Sequence, residues 1–163
     1  MAKNKEEKTN VMRTLEQKKI AYTAHSYPHE EGVAVDGVTV AKSMGFDPAQ
    51  VFKTLVARGA SGQYYVFDVP VAESLDLKKA AKAVGEKAVE MLKSKELLGL
   101  TGYIHGGCSP VGMKKLFPTV FHSSAENLAA MIVSAGKIGY QVELAPHDLA
   151  ALVRAKFADI IVE

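Results

Sequence analysis

Val51-Phe52-Lys53-Thr54-Leu55-Val56-Ala57 is the stretch that decides the fold class of this 163-residue chain. Its aromatic and β-branched residues predict a strand. Residues 59–63 predict a glycine-containing turn and residues 64–69 a second strand, so the two strands are expected to form a hairpin. Apart from Lys53, both faces of the first strand are largely apolar, which predicts a strand in the interior of the protein.

Helices and further strands are predicted on both sides of this hairpin. Capping residues, helical periodicity and terminating glycines predict helices or helical turns at 9–19, 38–44, 47–50, 77–84 and 94–98, and from 146 onward. Further strands are predicted at 21–27, 102–105, 119–122, 131–134, 139–144 and 158–162. Helices interleaved with hairpins indicate a mixed α/β (α+β) fold, in which a sheet curls around one core and helices flank it.

Two finer predictions concern polar residues near the end of the chain. Ser123 and Glu126 have the spacing of a capping box, which predicts a helix beginning at Ser123. In residues 140–144, apolar side chains alternate with Gln141 and Glu143. This alternation predicts that both polar side chains face solvent.

Length and composition restrict the class of protein. The hydrophobic fraction of 48% suits a single domain over residues 1–163, with a flexible charged tail at residues 1–8. The net charge of +2 is too small for a protein that wraps DNA, but it permits a local phosphate-binding patch. The single cysteine and the lack of a secretory signal or an apolar span predict a cytoplasmic protein with no membrane partner.

Lys53 and the segment 106–110 are the first candidates for chemistry. A lysine in an apolar strand either reaches solvent at the strand end or places an ammonium in a pocket for a phosphate, carboxylate or ester oxygen. The Gly106-Gly107 pair allows a ligand to approach the backbone closely, and its N–H groups are suited to an oxyanion hole. An ordinary tight turn would have the same glycine pattern.

Cys108 and the five histidines are weaker candidates. No cysteine-hydrolase signature surrounds Cys108, so it is interpreted as a small buried apolar residue rather than a nucleophile. His25 and His29 flank a proline-broken extended segment, and the other histidines are scattered. We therefore predict neither a metal site nor a cofactor.

The order of several segments resembles that of the YbaK/EbsC-type aminoacyl-tRNA deacylases, best known as Cys-tRNA(Pro) deacylases. These are free-standing relatives of the editing domain inserted in bacterial prolyl-tRNA synthetase. The segments that carry the resemblance are His25-Ser26-Tyr27-Pro28-His29, 51–56, 77–82, 102–110 and Ile132-Val133-Ser134-Ala135-Gly136-Lys137. The resemblance implies a mixed, partly barrel-like sheet flanked by helices. It also implies a deacylase of mischarged Cys-tRNA(Pro) that needs no metal or cofactor.

The resemblance assigns roles to individual residues. It implies that Lys53 is the essential catalytic lysine, which anchors the terminal aminoacyl-adenosine. The other residues to which it gives a place at the substrate are Tyr27, Thr54, Gly106, Gly107, Ser109 and Ser134. With no defensible nucleophile in the chain, the thiol of the cysteinyl ester is expected to attack its own carbonyl.

Two departures from the family pattern leave the amino-acid specificity open. Cys108 stands at a position that is commonly aliphatic in cysteine-specific members, and Ala135 stands where a second glycine is usual. The alternatives are a deacylase for another misacylated tRNA, such as Ala-tRNA(Pro), and a non-hydrolytic module that binds tRNA ends. The expected partners are the 3' end of aminoacyl-tRNA(Pro) and prolyl-tRNA synthetase, with lysines at 78–82 and 114–115 as further contacts for the acceptor stem.

Overall fold

The hairpin predicted from residues 51–69 forms the centre of the larger sheet in the computed structural model. The structure describes residues 8–163, so the predicted charged tail lies outside the described residues except for Lys8. The strands are β1 (Thr23–Ser26), β2 (Phe52–Gly59), β3 (Tyr64–Pro70), β4 (Val89–Met91), β5 (Thr119–His122), β6 (Met131–Ser134), β7 (Tyr140–Leu144) and β8 (Ala155–Ala158). The α-helices are α1 (Asn10–Gln17), α2 (Gly37–Met44), α3 (Leu77–Val84), α4 (Ser94–Thr101) and α5 (Pro146–Val153). Short 3₁₀ turns span Pro48–Gln50 and Ser123–Asn127.

The strands form two sheets. The larger has the order β4-β2-β3-β5-β8, and the smaller has the order β1-β7-β6. The β3–β5 and β5–β8 pairs are parallel, whereas the other strand pairs are antiparallel. An isolated parallel bridge between Val51 and Ile132 joins the two sheets. The predicted mixed α/β fold is confirmed, and the strands of residues 8–163 do not close into a barrel.

The helix ends follow the capping residues read from the sequence. The Thr9 hydroxyl accepts a hydrogen bond from the Met12 N–H, and the Asp76 carboxylate accepts two at the start of α3. Helices α2 and α3 end at Gly45 and Gly85, which have φ angles of 79° and 75°. These left-handed conformations favour glycine because a Cβ would approach the following carbonyl oxygen.

The predicted strand at residues 102–105 is wrong. Gly102, with a φ of 89°, ends α4, and the Gly107 N–H then donates to the Ile104 carbonyl to close a turn. Ile104 is 44% exposed, so the apolar residues that suggested a buried strand do not share a core face. The loop that carries Gly106 and Gly107 therefore begins earlier than predicted, directly after α4.

Four smaller differences concern element ends and exposure. The last strand is Ala155–Ala158 rather than residues 158–162, because it pairs in parallel with β5 directly after α5. Ser123 begins a 3₁₀ turn with no side-chain cap, so the predicted capping box is absent. The three-residue β4 was not predicted. Gln141 is only 7% exposed, so the prediction that it faces solvent is wrong.

The bridge between the sheets lies within a small apolar cluster. Val51 and Ile132 are fully buried there with Ala41 of α2 and Val71, which follows β3. This packing fixes the ends of β2 and β6 side by side. None of the five α-helices in residues 8–163 is long and apolar enough to cross a bilayer.

Candidate functional site

A cavity of about 380 Å³ lies at the seam between the two sheets. Its walls come from the end of β1, the loop before α2, strand β2, the loop after α4, and strands β6 and β7. Five of the residues predicted for the site line it: Tyr27, Lys53, Thr54, Gly106 and Ser134. Gly107 and Ser109, the other two predicted residues, are not part of its lining.

The seam places Lys53 and Ser134 at the same cavity. Each lies two residues beyond the parallel Val51–Ile132 bridge, on β2 and β6. The side chain of Lys53 is half-buried, and within residues 8–163 it has no hydrogen-bond or ion-pair partner. An ammonium held in a cavity without a partner is suited to bind an anionic or carbonyl oxygen of a ligand.

Thr54 is held by a buried carboxyl. Its hydroxyl donates a hydrogen bond of 2.5 Å to Asp68 Oδ1, and Asp68 is fully buried on β3. Burial raises the pKa of Asp68 to about 7, against the opposing effect of the Thr54 hydrogen bond. Because the only Thr54 hydroxyl proton is engaged with Asp68, the Thr54 oxygen can serve a ligand only as an acceptor.

Ser134 and Tyr27 have fixed backbone partners. The Ser134 hydroxyl oxygen accepts a hydrogen bond of 3.0 Å from the Gly136 N–H, which leaves its proton for a ligand. Tyr27 is only 5% exposed. Burial raises the pKa of its phenol, partly opposed by a backbone hydrogen bond from Gly139. The Tyr27 ring is therefore a neutral wall of the cavity.

The glycine loop is built by close packing. Gly106 has a φ of +91°, and a Cβ on it would lie 2.7 Å from the Ala34 Cβ. A Cβ on Gly107 would lie 3.1 Å from the Ile138 nitrogen, and the Gly107 N–H already donates to Ile104. The expectation that both amides are free for an oxyanion hole therefore fails at Gly107.

Ser109 supports the same loop from inside. It is fully buried, and its hydroxyl oxygen accepts a hydrogen bond of 3.2 Å from the Val111 N–H. It lies outside the cavity lining, so the structure gives it a contact with the loop backbone rather than with the cavity.

Cys108 lines the cavity but is not activated. Burial, with a smaller contribution from the negative charge of Asp68, raises the pKa of its thiol to about 12. A neutral thiol is a poor nucleophile, which agrees with the interpretation of Cys108 as a small apolar residue. His105 also lines the cavity, whereas Nδ1 of His122, at the end of β5, accepts a hydrogen bond from the Ile160 N–H. No group of three or more metal-ligating side chains is present in residues 8–163.

Gln141 is a buried polar residue of the cavity that sequence reasoning missed. It lies on β7 and lines the cavity, and its Oε1 has no hydrogen-bond partner among residues 8–163. A buried amide oxygen without a partner is costly, which points to a ligand donor that pairs with it. The sequence offered no sign of the cavity at this position beyond a polar residue, because the alternation of apolar and polar residues along β7 predicted that Gln141 faces solvent.

Comparison with known proteins places the chain in a family. Residues 32–152 match the model of the aminoacyl-tRNA editing domain. The chain is 47% identical over 161 residues to EbsC of Enterococcus faecalis, which is named as a candidate Cys-tRNA(Pro)/Cys-tRNA(Cys) deacylase; the match covers 98% of each protein.

Two solved structures have similar folds. A candidate trans-editing enzyme for prolyl-tRNA synthetase superposes with a TM-score of 0.79 and 26% identity, over 94% of this chain and 95% of that one. The hypothetical protein APE2540 superposes with a TM-score of 0.82 at 20% identity, over 93% and 99% of the two chains, and shows the fold alone. The resemblance inferred from the sequence is confirmed, and the chain belongs to the aminoacyl-tRNA editing domain family.

Proposed function

We propose that this protein is an aminoacyl-tRNA deacylase that acts in trans on mischarged Cys-tRNA(Pro). The observation that carries the proposal is Lys53, a half-buried lysine that has no side-chain partner in the described part of the chain and lines a cavity of about 380 Å³. That volume is within the range of about 300–1,000 Å³ found for small-molecule sites. The name of the Enterococcus relative and the editing-domain match support this activity class.

The polar groups of the cavity complement an aminoacyl-adenosine end. Lys53 and the Ser134 hydroxyl present donors, whereas Thr54 and Gln141 Oε1 present acceptors. An aminoacyl ester offers a carbonyl oxygen to the donors, and its α-amino group and free ribose hydroxyl to the acceptors. In this proposal Lys53 binds the ester end and stabilises the negative charge that develops on its carbonyl oxygen.

The attacking group comes from the substrate. Cys108, whose thiol has a pKa of about 12, is unsuited to attack. The substrate thiol loses its proton and its sulfur bonds to the carbonyl carbon of the same cysteinyl group. The ester C–O bond then breaks, the ribose oxygen takes a proton and tRNA leaves. An intramolecular attack of this kind has a high effective molarity, and alanyl and prolyl esters lack the thiol that it needs.

The choice of tRNA requires a partner under this proposal. A protein with a net charge of +2 has only a small excess of positive charge for a large, tight RNA interface. The similar structure of a candidate trans-editing enzyme for prolyl-tRNA synthetase fits a protein that receives the mischarged 3' end from that synthetase. A cytoplasmic location is part of the proposal, because tRNAs are charged in the cytoplasm.

Deacylation of four charged tRNAs tests the proposal. Cys-tRNA(Pro), Ala-tRNA(Pro), Pro-tRNA(Pro) and Cys-tRNA(Cys) are each incubated with wild type, Lys53→Ala and a matched control, Lys87→Ala, which removes an exposed lysine between α3 and β4. We expect hydrolysis of the two cysteinyl esters by wild type and Lys87→Ala, and no hydrolysis by a folded Lys53→Ala.

Other outcomes have defined meanings. Selective loss of the alanyl ester would keep the deacylase class but exclude thiol assistance and direct attention to Cys108. Tight tRNA binding without hydrolysis would favour the binding module. Near-normal turnover by folded Lys53→Ala would overturn the assignment of the site.

A further inference from the structure

A second concave site, of about 530 Å³, lies beside the β6–β7 turn. It is bounded by the start of α1, the end of α4 and the turn at residues 135–137. Every charged residue among the described residues that line it is a cation: Lys8, Arg13, Lys114 and Lys137. We refer to this site as the basic cleft.

Within residues 8–163, the cations of the basic cleft are only partly neutralised. Arg13 donates to the Asn10 side chain at 3.0 Å and is also attracted by the Glu16 carboxylate, whereas Lys114 donates to the neutral Gly99 carbonyl at 3.3 Å. Glu16 pairs with Lys8 as well, but both side chains are about half exposed, with 44% and 52% of their surfaces accessible. The described lining of the cleft therefore carries an excess of positive charge that suits an anion.

The basic cleft shares its walls with the Lys53 cavity. On the β6–β7 turn, Ser134 lines the cavity, and the next three residues line the cleft. The loop after α4 behaves in the same way, since Tyr103 lines the cleft and Gly106 lines the cavity. The cavity and the cleft are therefore neighbours that share one wall. An RNA strand whose 3' end occupies the cavity needs to cross only this wall to reach the cleft.

That wall is packed around Tyr103. Its hydroxyl donates a hydrogen bond of 2.5 Å to the Val111 carbonyl. A Cβ on Gly112 or Gly136 would lie 2.9 Å or 3.0 Å from the Tyr103 side chain, so the ring fits only because both residues are glycines. The relative position of cavity and cleft is therefore fixed by backbone packing rather than by long flexible side chains.

We infer that the basic cleft binds backbone phosphates of the RNA strand whose aminoacylated 3' end occupies the Lys53 cavity. The inference rests on the proposed function for the position of that end. Arg13 and Lys114 contact phosphate oxygens, which fix the strand without reading its bases. The other lysine-rich segment is less suitable, because Lys79 is already paired with Asp159 and Glu163.

Charge reversal in the cleft tests this inference with two substrates. Arg13→Glu and Lys114→Glu are compared with Lys87→Glu, which changes an exposed lysine between α3 and β4 that does not line the cleft. We expect each cleft variant to lower kcat/KM at least about tenfold for full-length Cys-tRNA(Pro). Cysteinyl-adenosine, which carries no phosphate, should be cleaved as by wild type. The neutral variants Arg13→Gln and Lys114→Gln should lower kcat/KM for full-length Cys-tRNA(Pro) by smaller factors than the charge reversals.

Binding of uncharged tRNA provides a readout that does not require turnover. For each phosphate contact removed, the slope of log affinity against log salt should fall by about 0.7, the value for single strands. Equal losses on tRNA and cysteinyl-adenosine, or losses no larger than those of Lys87→Glu, would overturn the inference. If wild type binds tRNA through the cleft cations but hydrolyses no ester, the cleft stands and the proposed function fails.

Discussion

Ser134 of β6 and Gln141 of β7 lie directly opposite each other in the antiparallel pair, and both side chains line the Lys53 cavity. Paired residues of adjacent strands point to the same face of a sheet. The pair therefore presents a hydroxyl donor beside an amide oxygen that has no partner. This arrangement suits a substrate group that both accepts and donates a hydrogen bond, or a hydrogen-bond acceptor beside a donor.

Replacement of Gln141 by Met is expected to raise stability and to lower activity. The substitution preserves the approximate shape and removes a buried oxygen without a partner, so the free energy of unfolding should rise by about 1 kcal/mol. It also removes an acceptor for the α-amino group, and kcat/KM should fall by about 10- to 100-fold, the loss of a hydrogen bond to a charged group. Urea unfolding and deacylation kinetics measure the two effects.

Gln63→Met is the matched control for this change. Gln63 is an exposed glutamine in the turn between β2 and β3, so neither stability nor kcat/KM should change appreciably. A Gln141→Met variant that is less stable than wild type would show that the amide is satisfied in the free protein.

Local patterns were sufficient to predict the hairpin and several helix ends, and the family resemblance added most of the five predicted residues that line the cavity. Lys53 was recognisable because a lysine interrupts an apolar strand, and the capping residues Thr9 and Asp76 act over three residues. Gln141 was misplaced because alternation assigns a face but does not reveal what covers that face. The seam between the two sheets buries it, and the seam depends on Val51 and Ile132, which lie far apart in sequence.

The strand predicted at residues 102–105 shows the same limit. Its apolar residues resemble a strand, but Gly102 adopts a left-handed conformation at the end of α4, and the chain turns. Sequence spacing also does not reveal that the Gly107 N–H is used within that turn. Only part of the basic cleft could be predicted from the sequence, because its cations come from separate segments that the fold brings together.

Cys108 is expected to be dispensable for catalysis and slow to react. With a thiol pKa of about 12, its thiolate fraction near neutral pH is minute. Cys108→Ala should therefore retain deacylation within a few-fold of wild type. Iodoacetamide should alkylate the folded protein far more slowly than the urea-unfolded chain, and because Cys108 is the only cysteine, mass spectrometry reports on it alone. Complete loss of activity in Cys108→Ala would instead support a covalent mechanism.

Asp68 should make the protein less stable as the pH rises through the neutral range. Burial raises its pKa from 3.8 to about 7, so between these values the folded protein keeps a proton that the unfolded chain releases. The Asp68 contribution to the free energy of unfolding is therefore greatest below about pH 4 and is lost as the pH rises to about 7.

Asp68→Asn isolates this contribution. The amide does not titrate, so the difference in free energy of unfolding, variant minus wild type, should increase between about pH 4 and pH 7 and then level off. Urea titrations across this range measure it. Glu90→Gln is the control, because Glu90 is an exposed carboxyl on β4, and its variant should not reproduce that increase. A constant difference for Asp68→Asn would mean that Asp68 ionises normally in the folded protein.

Gly106→Ala should destabilise the protein and impair deacylation, because two separate effects oppose a side chain at this position. The φ of +91° alone costs an L-residue about 1–2 kcal/mol. Gly62→Ala measures that cost by itself, since Gly62 has a φ of +94° and open space around a Cβ. The additional loss in Gly106→Ala reports the contact at 2.7 Å with the Ala34 Cβ.

A double-mutant cycle with Ala34 tests this contact directly. Because Ala34→Gly removes the Ala34 methyl group, Ala34→Gly/Gly106→Ala should recover most of the additional loss when it is compared with Ala34→Gly, as urea unfolding measures it. Equal destabilisation by Gly106→Ala and Gly62→Ala, with no recovery in the double variant, would show that the glycine loop and the Ala34 loop are not packed together.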